Sequence, residues 1–119
     1  MNNNKAYLIK TDGTVTEVIP NKAGYLSFKE SYPLINATTI EPIFCAGGLV
    51  MFCDEEGRFN GKRNALASQI FQDGRIPMEN EIAILKAQWG EGLIVVHDDD
   101  TDMNDIYGDV VVLPETWYK

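Results

Sequence analysis

Ala6-Tyr7-Leu8-Ile9-Lys10-Thr11-Asp12-Gly13-Thr14-Val15-Thr16-Glu17-Val18-Ile19 is the stretch from which the fold is read. Two β-prone runs flank Asp12-Gly13, a pair that tolerates the backbone of a tight turn, and Pro20 stops the second run. This is a β-hairpin. A second hairpin follows from the same logic: Thr38-Thr39-Ile40-Glu41-Pro42-Ile43-Phe44 and Leu49-Val50-Met51-Phe52-Cys53 lie on either side of Ala46-Gly47-Gly48. Pro42 has no N–H to give to a ladder, so an edge or a bulge is expected there.

Between the hairpins, Ser27-Phe28-Lys29-Glu30 has the spacing at which each side chain caps the other's backbone N–H. It opens a short helix, expected to end before Pro33 because the residue preceding proline is pushed out of the helical region. Beyond the second hairpin, residues 54–57 form a turn and residues 58–64 a polar, locally basic loop. Asn64 is placed to cap a helix through Phe71, with Leu66 and Ile70 on one face and Asp73-Gly74 ending it. Pro77 and Glu79 open another, with Ile82, Leu85 and Trp89 on one stripe and Gly90 beyond its end. Leu93-Ile94-Val95-Val96-His97 is continuous and apolar, hence expected as a central strand, and Asp109-Val110-Val111-Val112-Leu113, closed by Pro114, is the last. The expected fold is α+β: a mostly antiparallel sheet of five or six strands, made of two hairpins plus carboxy-terminal strands, with two or three helices on one face.

A chain of 119 residues, 45% hydrophobic and 24% charged, is one ordinary domain spanning 1–119 that can bury a core without metal or disulfide staples. No apolar run approaches the ~20 residues of a membrane span, and residues 1–5 lack the apolar segment of a secretion signal, so no membrane partner and a cytoplasmic setting are expected.

The net charge of −8 is unevenly placed. Residues 1–63 carry 7 basic and 7 acidic side chains; residues 64–119 carry 3 and 11. Asp98, Asp99, Asp100, Asp102, Asp105 and Asp109 crowd into the carboxy-terminal part, within or beside an acidic segment at 72–105. A single-sign patch repels phosphate backbones and attracts basic surfaces, which argues against direct nucleic-acid binding by this half. The plainer reading is a solvated loop that keeps a small protein soluble.

Equipment for bond-making is sparse. His97, the only histidine, ends an apolar strand beside Asp98, where a hydrogen bond to the neighbouring acids explains it more simply than a general base does. The aspartate run offers oxygens, of which calcium takes ~6–8, but lacks an EF-hand frame, and Gly47-Gly48 and Gly90-Glu91-Gly92 lack the Lys-Ser/Thr of a phosphate loop. Cys45 and Cys53 match no zinc spacing; they read as buried small hydrophobes, with a cross-strand disulfide as the alternative. No cofactor and no resident metal are expected, and no catalytic residues are assigned.

The order of signals resembles a small family of phage, plasmid and other mobile-element proteins catalogued as domain of unknown function thirty-eight forty-six. The resemblance is carried by Lys5-Ala6-Tyr7-Leu8-Ile9-Lys10 with Asp12-Gly13 and by Ile40-Glu41 with residues 49–57. Asn60-Gly61, Asn64 and Ile106-Tyr107-Gly108-Asp109-Val110-Val111-Val112 complete it. Residues 72–105 are longer and more acidic than that family's layout. The resemblance implies a mobile-element accessory protein, a kind that often acts against host defence by binding a host protein or a signalling nucleotide.

Two binding surfaces are therefore expected. The first is the aspartate set Asp98, Asp99, Asp100, Asp102, Asp105 and Asp109, offered to a host protein with a basic surface. The alternative is a grip on a small, nucleotide-like anion, with Arg58, Lys62 and Arg63 holding charge, Asn60 and Asn64 reading polar edges and Phe59 or Tyr107 stacking a base. Trp117-Tyr118, past Pro114, is expected to dock onto its own domain or onto a second copy in a homo-oligomer. An enzyme is the least supported class.

Overall fold

In a computed structural model, which describes residues 4–56, 62–89 and 106–118, the first hairpin forms as its residues dictate. Strand β1 (Ala6–Ile9) pairs antiparallel with β2 (Val15–Val18), Ile9 opposite Val15. Gly13 adopts φ 88°, its N–H donates to the Lys10 carbonyl at 2.9 Å, and the Asp12 carboxylate accepts from the Thr14 N–H at 2.8 Å. This is a three-residue loop whose last position needs the left-handed backbone that glycine gives without strain.

Helix α1 (Phe28–Ile35) starts with the expected reciprocal cap, Ser27 and Glu30 each satisfying the other's backbone. The three contacts to Glu30 from Asn21 and Ser27 side chains and the Ser27 N–H hold its carboxyl below the usual range. The helix does not stop before Pro33. It runs through the proline to Ile35 and ends at Asn36, which takes φ 53° and donates its N–H to the Tyr32 carbonyl. Pro33 is exposed, and the bond it forfeits is to the carbonyl of exposed Lys29, which water can satisfy. The buried Ile35 and the packed Leu34 reward the extra turn.

Strands β3 (Ile40–Cys45) and β4 (Leu49–Asp54) form the second hairpin, Cys45 opposite Leu49 across the Ala46–Gly48 turn. Helix α2 (Ala65–Asp73) follows, then α3 (Glu79–Trp89), then β5 (Val110–Pro114). Gly74 closes α2 at φ 67°; a Cβ there would lie 2.8 Å from that of Ala46, so both conformation and space demand glycine. No described helix is long and apolar enough to cross a membrane.

The described sheet has five strands in the order β2-β1-β5-β4-β3, every neighbour antiparallel. β5 is buried along its whole length. Residues 93–97 lie outside the described residues. Pro42 falls on the edge strand β3, where a missing donor leaves a five-stranded ladder intact.

Helices cover both faces of this sheet, not one. Tyr7, Ile9, Leu49, Met51, Val110 and Val112 meet Leu66, Ala67 and Ile70 of α2 and Ile82 of α3, with Leu85 against them. The Trp89 side chain is outside the described set. On the opposite face Leu8, Val50, Phe52, Val111 and Leu113 meet Leu26, Phe28 and Ile35. The aromatic tail docks here, on its own domain. The Trp117 carbonyl accepts from the Leu26 N–H at 3.1 Å, and the Tyr118 ring lies 5.6–5.9 Å from those of Phe44, Phe52 and Phe28. Continuous apolar runs in β4 and β5 are the sequence mark of strands covered on both sides.

Candidate functional site

The described part of the candidate surface is built where Lys62–Asn64 runs antiparallel to Ile106–Gly108. Arg63 and Tyr107 form a bridge, the Gly108 N–H donates to the Lys62 carbonyl at 2.7 Å, and the Asn64 N–H donates to the Ile106 carbonyl at 2.7 Å. This short ladder sets Arg63 opposite Tyr107, both half-buried, with Lys62 exposed next to Arg63 in the chain. Arg58, Phe59 and Asn60 lie outside the described residues.

Asn64 does not belong to a ligand-reading surface. It is 0% exposed, and the fold uses its polar groups. Its Oδ1 accepts from the Ala67 N–H at 3.0 Å, the helix cap its position predicts. Its Nδ2 donates to the Ile9 carbonyl at 3.0 Å and the Gly108 carbonyl at 2.9 Å. Ser68, one turn on and also buried, donates from Oγ to the Asn64 carbonyl at 2.8 Å and accepts from the Ile106 N–H at 2.8 Å. Sequence reading passed over Ser68; the available signal was a serine four residues after a capping asparagine on an otherwise apolar helix face. The pair ties β1, α2 and the approach to β5 into one buried polar knot.

Asp109 also serves the fold: its Oδ1 accepts from the Thr11 N–H at 3.0 Å, holding the first hairpin's loop against β5. Asp98, Asp99, Asp100, Asp102 and Asp105, like His97, lie outside the described residues. Elsewhere in this half, Asp73, Glu79 and Glu115 are exposed. Arg75 grips Glu81 through both nitrogens, at 3.3 and 2.7 Å. That contact keeps the Glu81 carboxyl below the usual range and raises the Arg75 guanidinium. The cation is thereby neutralised locally, and the exposed acids keep their field.

The thiols are not poised for chemistry. Cys45 stands opposite Leu49 and Cys53 opposite Glu41, so they are four residues apart along the ladder, roughly 13 Å, beyond disulfide reach. Both are free. Burial pushes the Cys45 thiol up to about 11 and the Cys53 thiol higher still. A groove of about 240 Å³ between α2 and α3 is lined by Gln69, Asp73, Arg75, Pro77, Glu81, Ile84 and Leu85. It is smaller than the ~300 Å³ at which small-molecule sites begin. Among the described residues no three His, Cys, Asp or Glu side chains converge as a metal site requires.

Comparison with protein-family models, with curated proteins and with solved structures gives no match.

Proposed function

We propose that this protein is a non-catalytic accessory protein of a phage or other mobile element, acting in the host cytoplasm. It antagonises host defence by offering its anionic carboxy-terminal half to a basic surface on a host protein. The observation that carries this reading is the charge asymmetry: 11 acidic against 3 basic side chains in residues 64–119, beside a balanced first half. Arg75, a cation of the acidic half, is consumed by Glu81, while Asp73, Glu79 and Glu115 face solvent. The protonated thiols and the spent polar groups of Asn64 and Ser68 support a binding role over a catalytic one. The mobile-element setting rests on the family resemblance.

The test is capture from host lysate with the wild type and with a variant carrying Asp→Asn at 98, 99, 100, 102 and 105. A protein with a basic surface held by the wild type and lost by the variant supports the proposal. Identical captures contradict it.

A second reading has its own observation, the pairing of Arg63 with Tyr107 across their bridge, next to the exposed Lys62. It makes the protein a module for a small phosphate-bearing anion, and it predicts a rise in melting temperature with a nucleotide, lost in Lys62→Ala/Arg63→Ala. A nucleotide panel with no shift removes it.

A further inference from the structure

The two edges of the sheet differ. On β3, Pro42 removes a donor from the middle of the edge, and Phe44 beside it packs on Tyr118. On β2, the other edge strand among the described residues, no described strand follows. The Lys10 N–H bonds the Thr14 carbonyl, so the alternation of an antiparallel ladder turns the peptide groups of Thr16 and Val18 toward β1. Those of Val15, Glu17 and, one residue on, Ile19 point away from the sheet. No described residue takes them. Ile19, 72% exposed, is the most exposed of the large apolar side chains described, and Val15 on the same face is half-buried against the core.

The outward residues read apolar, acidic, apolar about Glu17, and this order is unchanged when the strand is reversed. A twofold axis through Glu17 therefore places Ile19 of each copy beside Val15 of the other. It aligns the outward N–H and C=O groups of residues 15, 17 and 19 with those of 19, 17 and 15. Two glutamates meet at the centre, and each has Lys5 at 3.6 Å on its outer side, which offsets part of their repulsion. We propose that β2 is the interface of a symmetric dimer in which two sheets join edge to edge through a second copy of this chain. A single short strand buries far less than the ~800 Å² per partner of a standard complex, so association is weak, with half-dimerisation in the range of ~0.1 mM.

Sedimentation equilibrium from about 10 μM to about 1 mM tests this. The weight-average mass of the wild type rises from 13.3 kDa toward twice that value. Glu17→Pro removes an outward donor and the exposed contact to Lys5 but no bond to β1, because the Glu17 N–H faces away from β1, and it stays monomeric with an unchanged circular dichroism spectrum. Ile19→Lys, at a residue beyond β2 that carries no ladder bond, also stays monomeric, so the proposal remains testable should the proline variant misfold. Glu17→Gln removes the central repulsion and half-dimerises at roughly threefold lower concentration. A wild type that remains at 13.3 kDa throughout overturns the proposal, including the case in which another protein's strand occupies the edge. So does an Ile19→Lys variant that associates like the wild type.

Discussion

Asn64 shows how one residue type carries two meanings until burial separates them. Its place before an apolar helical run predicts a cap, and its place in a basic loop suggests a reader of polar ligands. The cap forms, and the amide that would have read a ligand joins β1 to the approach of β5. No pattern in the chain tells which side of the loop faces the core, because that depends on strands 55 and 44 residues away. Asn64→Ala leaves two carbonyls and a helix N–H short of partners in a dry site. It is expected to lower unfolding free energy by about 2–4 kcal/mol, read as a shift in urea midpoint at unchanged slope. A loss under about 0.5 kcal/mol would mean the knot is not a stabilising feature. Cys45 gives a second prediction at this scale. With its thiol pushed up to about 11 from 9.0, it should react with a thiol reagent near pH 8 about 100-fold more slowly than free cysteine. Its thiolate forms only as pH rises toward that value, so the rate climbs steeply between pH 9 and 11. Reaction at the free-cysteine rate near pH 8 would contradict the burial.

Among elements, the hairpins were legible because their turns are local chemistry: Asp12-Gly13 and Gly47-Gly48 fix loop and register within a few residues. Helix α1 was legible at its start and misread at its end. The cap is a contact within four residues, whereas the reason to continue past Pro33 is Ile35 packing on a sheet assembled from distant strands. Proline disfavours helix locally by about 3 kcal/mol, yet here most of the local penalty falls on one solvent-facing bond. Pro33→Ala restores an N–H to the Lys29 carbonyl and removes the ring, and should raise stability by about 1–2 kcal/mol, a melting shift of roughly 5 °C. A drop in melting temperature would show that the proline ring itself contributes packing.

For the whole molecule, the class of fold and the five antiparallel strands among the described residues follow from a pattern that allowed five or six, but the order β2-β1-β5-β4-β3 does not. Alternation says which residues share a face of a strand, never which strand lies beside it. The placement of β5 between the two hairpins is set by mutual burial of Val110–Pro114 with both neighbours, and it leaves both faces needing cover. One helix and the aromatic tail take one face, and two helices take the other. Of the candidate sites, charge asymmetry was readable by counting, while the reassignment of Asn64 and Asp109 to the fold needed three-dimensional neighbours. That asymmetry is the feature proposed to meet a host partner. Its most direct measurement is the affinity for the captured host partner as a function of salt, wild type against the five-position Asp→Asn variant. Screening shortens the reach of surface charge from ~10 Å at 0.1 M to ~3 Å at 1 M, so wild-type affinity should fall steeply and the variant should bind weakly with a shallow slope. Equal affinities with equal, flat salt dependence would contradict the claim.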